Sequence, residues 1–350
     1  MSSKLASAIS RRLPRRRGAS DRSSALGQIE SLTDENRRER NPGREVRLVK
    51  LRNEAFAELD RDRPDTAPEM LERAPLDTPA YEVVDHLPTV AAAELGPELI
   101  RAAFLDAGCL LVRGLLDRGS VESLKAGIDR AFEGRDAYLD GKKASETTPW
   151  FRPFVPAERY QVSDKAFNRH VKGSGSVWAV DSPRMMFELL ETFEAAGLLD
   201  LATGYLGERP AFSMKKSVLR RVEADSGAAW HQDGAFLGDG IRTINFWIAL
   251  NRCGDTAPGM DIVARRLTEI VPTGTEDALF EWAVSDQLVS ELPDAPVARP
   301  IFEPGDALLF DHLCLHRTAA DPQMPKQRYA TETWCFAPSS YPEAQIPIVV

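Results

Sequence analysis

From residue 212 to residue 336 the sequence is cut into short β-branched and aromatic runs, each bounded by turn-forming residues. Residues 212–222, 228–233, 243–250, 260–264, 307–310 and 329–336 all fit extended backbone. Pro304-Gly305-Asp306 sets a turn between Ile301-Phe302 and Ala307. The run Thr243-Ile244-Asn245-Phe246-Trp247-Ile248-Ala249-Leu250 is rich in β-branched and aromatic side chains and reads as a buried strand. Many short strands with turns between them must pair off their edges by packing as two sheets or closing into a barrel, so a sandwich or jelly roll is expected. No internal repeat is visible.

The preceding part of the chain has a different rhythm. Residues 98–107 have a helical pattern, Cys109 to Arg113 is a short apolar strand between Gly108 and Gly114, and Ser120 is placed to cap a helix reaching Phe132. Residues 134–182 carry Trp150, Phe151, Phe154 and Trp178 among prolines, a composition found both in lids and in loops that cover a core. Residues 183–206 return to a helical pattern that ends at Gly204 and Gly207. Helices ahead of a strand-rich half give the fold class α+β.

Residues 1–45 are rich in Ser and Arg and read as a flexible tail. The first 24 residues hold seven cations against one acid, a net of +6, so the rest carries −15 of the total −9. That balance argues against dedicated nucleic-acid binding, which needs a basic face. The tail's composition is shared by organelle transit peptides and by electrostatic feet for anionic surfaces, but a solvated tail is the preferred reading. Residues 46–80 are expected to hold a helix, with Leu48, Leu51, Ala55 and Leu59 along one stripe, and then a linker containing Pro64, Pro68, Pro75 and Pro79. The folded domain is expected over residues 81–345.

Cys109, Cys253, Cys314 and Cys335 contain no C-x-x-C pair and imply a reducing, cytoplasmic compartment. No run approaches the roughly 20 apolar residues of a transmembrane helix.

Chemistry concentrates in Trp230-His231-Gln232-Asp233-Gly234. On extended backbone His231 and Asp233 point to one face, which supplies two of the three ligands of a two-His-one-carboxylate iron site. His86 and His170 lie in the loop-rich half. His312 and His316 follow the Pro-Gly-Asp turn and are four apart, again one face of a strand, so either could be the third ligand or a core histidine. Arg328 opens the last strand. A guanidinium entering a β core needs an anionic partner, and a 2-oxo-diacid would provide one.

Taken in order, His231-x-Asp233, the Pro-Gly-Asp turn, a distal His and Arg328 resemble the Fe(II)/2-oxoglutarate-dependent dioxygenases, and more narrowly the phytanoyl-CoA dioxygenase family. The likeness spans about residues 81–338, with Gly108 to Phe132, Leu198 to Pro210 and Phe246 to Leu250 as further matching pieces. The resemblance implies a double-stranded β-helix of cupin-like, jelly-roll form, flanked by helices. It implies His231, Asp233 and His316 as iron ligands, Arg328 as the clamp for the far carboxylate of 2-oxoglutarate, and dioxygen as co-substrate. It places Lys215 or Lys216, and Trp247, beside the co-substrate; Trp247 reads equally as a core aromatic, and the lysines equally as a solvated edge. Trp230, Phe236 and Trp334 are candidates for a dry shell. The family's Gly/Ser-rich stretch with a Ser-His pair is replaced here by Gly259 to Arg266.

The implied activity is hydroxylation of a small organic molecule with release of succinate and CO2. The competing class is a non-catalytic jelly-roll metal-binding or scaffold protein, against which Arg328 argues, because a structural metal needs no carboxylate clamp.

Overall fold

A computed structural model of the protein describes residues 24–59, 81–160, 175–224, 227–275 and 277–350. Residues 1–23 of the expected tail, the proline linker and His170 lie outside the described residues. Twelve strands are found among those described: β1 (Glu82–Val84), β2 (Leu87–Ala91), β3 (Cys109–Arg113), β4 (Ser176–Trp178), β5 (Ala211–Val222), β6 (Thr243–Ala249), β7 (Gly259–Val263), β8 (Val297–Ala298), β9 (Ala307–Phe310), β10 (His316–Ala319), β11 (Arg328–Phe336) and β12 (Pro347–Val349).

Nine of them form one sheet in the order β1-β2-β3-β9-β6-β11-β5-β12, with β4 also on β5. The other three form a second sheet, β10-β7-β8. Every pairing is antiparallel except β2 with β3. The two sheets face each other as a double-stranded β-helix, and the fold is α+β.

Side-chain parity sorts the large sheet into two faces. Along β6, Ile244, Phe246 and Ile248 point outward and join Phe104, Ile128, Leu189, Phe193 and Leu206 from the covering helices. Trp247 and Ala249 point inward, where they meet Phe310, Ala330, Trp334 and Phe336 and, across the barrel, Met260 and Ile262 of β7. This is why the β6 run is apolar throughout: both of its faces are buried. Phe151, Phe154 and Trp178 belong to the outer core, so the described parts of that loop region cover the core.

Several expectations need correction. Residues 25–38, assigned to the tail, form a helix capped by Ser24, whose side chain accepts from the Gly27 amide. Its Ile29 packs with Leu48, Leu51 and Phe56 against Phe187 and Val349. The apolar spacing Ala25, Ile29, Leu32 is diluted by the charged residues around it, so the composition of the region does not reveal the helix. The following helix runs over Pro42–Glu54, with a short turn at Phe56–Leu59. Asp117, not Ser120, caps the helix Arg118–Leu139: its carboxylate accepts from the Ser120 amide at 2.9 Å. Residues 183–206 are two helices, Pro183–Ala195 and Leu198–Leu206, broken at Gly197, whose φ of 72° a helix cannot contain.

Candidate metal centre

β10 starts at His316, paired to Ile262 of β7 on one side. On its other side His316 and His231 exchange both backbone hydrogen bonds, each 3.0 Å. A reciprocal antiparallel pair sets its two side chains on one face, and the imidazole centroids lie 4.4 Å apart. Trp230 makes the next bridge, to Val284. Residues 228–233 are therefore not a full strand: only Trp230 and His231 are bridged.

The chain leaves the sheet at Gln232. Its fully buried amide donates to the carbonyls of Leu313 (2.7 Å) and Glu269 (3.0 Å) and accepts from the Val271 amide (2.7 Å). Asp233 then takes helical φ and ψ and opens the single turn Gly234–Leu237. The side chains of His231 and Asp233 thus converge through a strand-to-helix corner, not through the expected strand alternation. The corner favours glycine at 234, where a Cβ would sit 3.0 Å from the His312 ring and 3.1 Å from its carbonyl oxygen, so that His312 would have to shift.

His231, Asp233 and His316 bring one ligand atom each within 4.8 Å of one another. Asp233 and His316 are buried, and His231 is the partly exposed member. Nδ1 of His231 lies 2.9 Å from the Ala229 carbonyl, and Nδ1 of His316 lies 3.0 Å from that of Cys314. A carbonyl only accepts, so both Nδ1 atoms carry the proton and both Nε2 lone pairs are free for a metal. Burial, with His316 alongside, pulls the His231 imidazole down to about 4. Burial pushes the Asp233 carboxyl up, but Lys216 and the two imidazoles outweigh it and hold it below the usual carboxylate value. Near neutral pH the cluster therefore offers a neutral His231 imidazole and a carboxylate, the protonation states a divalent cation needs.

Of the two candidate lysines it is Lys216 that reaches the cluster, its Nζ 2.5 Å from Asp233 Oδ1. The other oxygen, Oδ2, lies 3.7 Å from His316 Nε2. The register of β5 against β11 slips around this point, since Thr333 pairs with Ser217 while Cys335 pairs with Phe212. Such a bulge re-aims side chains. Lys215 is half-buried, and burial lowers its ammonium's pKa.

His312 does not join the cluster. The chain turns between β9 and β10, and His312 Nε2 sits 3.0 Å from the Asp239 carbonyl. His86 is exposed in a turn at φ 71°.

Arg328 is buried inside the barrel. Its Nη1 donates to the Gly259 carbonyl at 3.1 Å, its guanidinium stands 5.6 Å from the Trp247 ring, and its Nε has no partner. Burial, with Arg220 nearby, lowers its pKa to about 10. Gly259 pairs with Ala319, three residues along β10 from His316. Three strand rises are about 10 Å, a span suited to a five-carbon dicarboxylate with one end at the metal and the other at Arg328. Two imidazole nitrogens, one carboxylate and an under-bonded buried guanidinium fit iron(II) with 2-oxoglutarate.

Glu332 was missed in the sequence, although it lies on the same face of β11 as Arg328. It bonds Arg220 at 2.8 Å; burial raises its pKa, and Arg220 with Lys216 overrides this and brings it to about 2. Phe310, 4.7 Å from the His316 ring, and Trp334 close the inner wall. Trp230 is tied to Asp286 through its indole N–H at 2.9 Å. Arg266 is paired with Asp311 at 2.5 Å.

A β-helix with a His-x-Asp…His cluster at one mouth and a lone buried arginine beyond it defines the iron- and 2-oxoglutarate-dependent oxygenases. The family profile described as phytanoyl-CoA dioxygenase matches residues 104–321, more than half of the chain, and the protein belongs to that family. As a member it is an oxidoreductase that uses Fe(II), 2-oxoglutarate and dioxygen. No curated protein sequence matches. Among solved structures, EctD from S. alaskensis with 2-oxoglutarate and 5-hydroxyectoine is 17% identical, over 79% of this chain and 88% of its own, with a TM-score of 0.47. EvdO2 from Micromonospora carbonacea var. aurantiaca complexed with 2-oxoglutarate is 15% identical over 71% and 90%, with a TM-score of 0.42. AviO1 from Streptomyces viridochromogenes Tue57 is 18% identical over 68% and 94%, with a TM-score of 0.43.

Proposed function

We propose that this protein hydroxylates a small organic molecule, using His231, Asp233 and His316 to hold iron(II) and Arg328 to bind the far carboxylate of 2-oxoglutarate. The observation that carries the reading is the buried Arg328, which has one carbonyl partner and an unpaired Nε in the barrel that also holds the three ligands. Bound iron with 2-oxoglutarate and dioxygen supplies the oxidising chemistry, with 2-oxoglutarate converted to succinate and CO2. The chain's own part is positional. The Ala229 and Cys314 carbonyls fix the tautomers of the two imidazoles. Lys216 occupies Oδ1 of Asp233, so that Oδ2 would be the oxygen free to hold the metal. Trp247 flanks the Arg328 guanidinium, and Phe310 with Trp334 keeps water from the inner wall. Four free, buried cysteines support a reducing, cytoplasmic location, and among the described residues no helix is long and apolar enough to cross a membrane.

The test is anaerobic addition of Fe(II) and 2-oxoglutarate. A weak visible metal-to-ligand charge-transfer band is expected in the wild type and is lost in His231→Ala. Its absence from well-folded wild-type protein overturns the proposal. A scaffold protein would also show no iron-dependent 2-oxoglutarate binding by calorimetry.

A further inference from the structure

The solvent side of the cluster is at His231, and aromatic rings surround it. Phe236 stacks on the His231 ring with centroids 6.3 Å apart, and Trp282 meets it edge-on at 5.5 Å. Phe236 and Trp282 are 6.2 Å apart, and Phe280 lies parallel to Trp282 at 5.0 Å. Phe236 is 40% exposed, Trp282 38% and Phe280 53%, and Leu279 beside them is more exposed still. Among the described residues these three are the exposed Phe and Trp side chains, and all of them stand at this mouth. Exposed apolar surface gathered in one place marks a binding surface.

The segment that carries Phe280 and Trp282 is anchored. Val284, two residues beyond Trp282, is bridged to Trp230, and Val271, Val284, Val289 and Leu315 pack around the Trp230 ring. Its charge is one-sided: between Arg266 and Arg299 the sequence has seven acidic residues and no lysine or arginine. The nearby Lys216 ammonium is already engaged, by Asp233 and by the face of Phe236 at 4.4 Å. An anionic group at this entrance would meet no free cation of the segment and would be repelled by its acids.

We infer that the mouth formed by Phe236, Phe280 and Trp282 binds the substrate, and that this substrate is a ring-bearing small molecule without negative charge. The inference rests on the function proposed above and narrows its substrate class. The rings stack on a flat apolar partner at the metal's open side, while the acidic segment turns away phosphate- or carboxylate-bearing molecules, including acyl thioesters of coenzyme A.

Equilibrium dialysis with two probes of the same ring system tests this, using the full chain with and without anaerobic Fe(II) and 2-oxoglutarate. Naphthalene-2-methanol is expected to bind at least tenfold tighter than naphthalene-2-carboxylate. Trp282→Ala and Phe280→Ala should each weaken naphthalene-2-methanol binding about tenfold, Trp282→Phe should stay within about threefold, and Leu139→Ala, an exposed leucine elsewhere, should change nothing. Equal or tighter binding of the carboxylate, or retention of binding in both alanine variants, overturns the inference. The charge-transfer band separates the two levels. A band without naphthalene-2-methanol binding sinks the substrate class and leaves the oxygenase reading intact. Binding with the expected variant pattern but without a band leaves a ring-binding mouth and removes its role as a substrate site.

Discussion

Two buried charges, Glu45 in the N-terminal helical brace and Arg328 in the barrel interior, are treated in opposite ways. In the brace, Glu45 is fully buried between the helices, with Arg184 from the helix Pro183–Ala195 at 2.7 Å and Asn36 at 3.3 Å. Arg37 reaches the same helix from the brace's surface, bonding Glu191 and Glu194. In the barrel, Arg328 is also buried, yet its hydrogen bond goes to a carbonyl, and among the described residues no carboxylate lies within ion-pair distance, Glu332 on the same face being taken by Arg220. Incomplete hydrogen bonding alone does not mark a ligand site, since Glu45 Oε2 is also unbonded and Arg52 of the brace bonds only the Val349 carbonyl. Glu45 has an opposite charge beside it, whereas Arg328 has none and stands in the barrel that also holds His231, Asp233 and His316.

Removing one member of each arrangement should separate the two cases. Arg184→Met strands the Glu45 carboxylate in the core, and about 3–5 kcal/mol of stability should be lost, read as a lower denaturation midpoint, with the affinity for 2-oxoglutarate unchanged. Arg328→Met should do the reverse. Without ligand the protein should be as stable as the wild type or more so, because a poorly paired buried cation is gone. Affinity for 2-oxoglutarate should fall by about 2–4 kcal/mol, as expected for truncating one partner of a buried charged pair. Calorimetry and thermal melts on the two variants together decide the matter: a destabilised Arg328→Met with normal 2-oxoglutarate binding would make Arg328 a structural residue and erase the contrast.

How far the sequence disclosed each region follows from the same difference. β6 and β9 were legible because burial on both faces leaves dense apolar runs with turns between them, and β11 because its residues alternate. The candidate metal ligands were legible because chemistry restricts such residues to few types. The helix Ala25–Arg38 was not, since its stripe is narrow and its surroundings are arginine and serine. The corner at Gln232 was hidden as well: it depends on carbonyls of Glu269 and Leu313, contacts that no local pattern encodes. His316 could be separated from His312 by resemblance alone, because the turn that ends β9 makes the four-residue spacing meaningless as strand parity. Trp282 gave no signal, lying far along the chain from His231 in a segment with little regular structure.

Another buried group near the brace, like Arg52, stands outside any ion pair among the described residues. Asp181 is buried, accepts the Phe154 amide at 2.7 Å, and has its carboxyl pushed up to about 7 by burial, which the Phe154 hydrogen bond only partly offsets. In the unfolded chain this carboxyl ionises near pH 4. Between that value and 7 the unfolded state holds fewer protons, so this group's contribution to stability is fully present at low pH and declines as pH rises, levelling above 7. Asp181→Asn keeps the acceptor for Phe154 and cannot ionise. It should be more stable than the wild type at pH 8 by about 1–2 kcal/mol, a gain reduced from the full titration effect by the new amide's need for a partner. The advantage should vanish toward pH 4. Chemical denaturation at the two pH values measures it, and an equal difference at both would show that Asp181 is not a titrating burden.

The smallest expected effect concerns Lys216, because it works through another side chain. Its ammonium holds Oδ1 of Asp233 at 2.5 Å and rests on Phe236, so the carboxylate has one oxygen committed and one directed toward His316. Lys216→Met keeps the length and the contact with the ring and removes the charge. Two consequences oppose each other. The carboxylate loses a competing cation, which favours metal binding, and it loses the contact that orients it, which disfavours binding. Partners of this kind are worth about ten- to a hundredfold in metal affinity, whereas relief from one ammonium at a partly solvated site is worth less, since Lys216 is not fully buried. Orientation should win, and Fe(II) affinity should fall about tenfold while 2-oxoglutarate affinity at saturating iron stays within about threefold. A competitive chelator titration reads the first quantity and calorimetry the second. Tighter iron binding in Lys216→Met would mean that the ammonium acts as a stand-in for the absent cation and that its pairing with Asp233 belongs with the completed pairs of the brace.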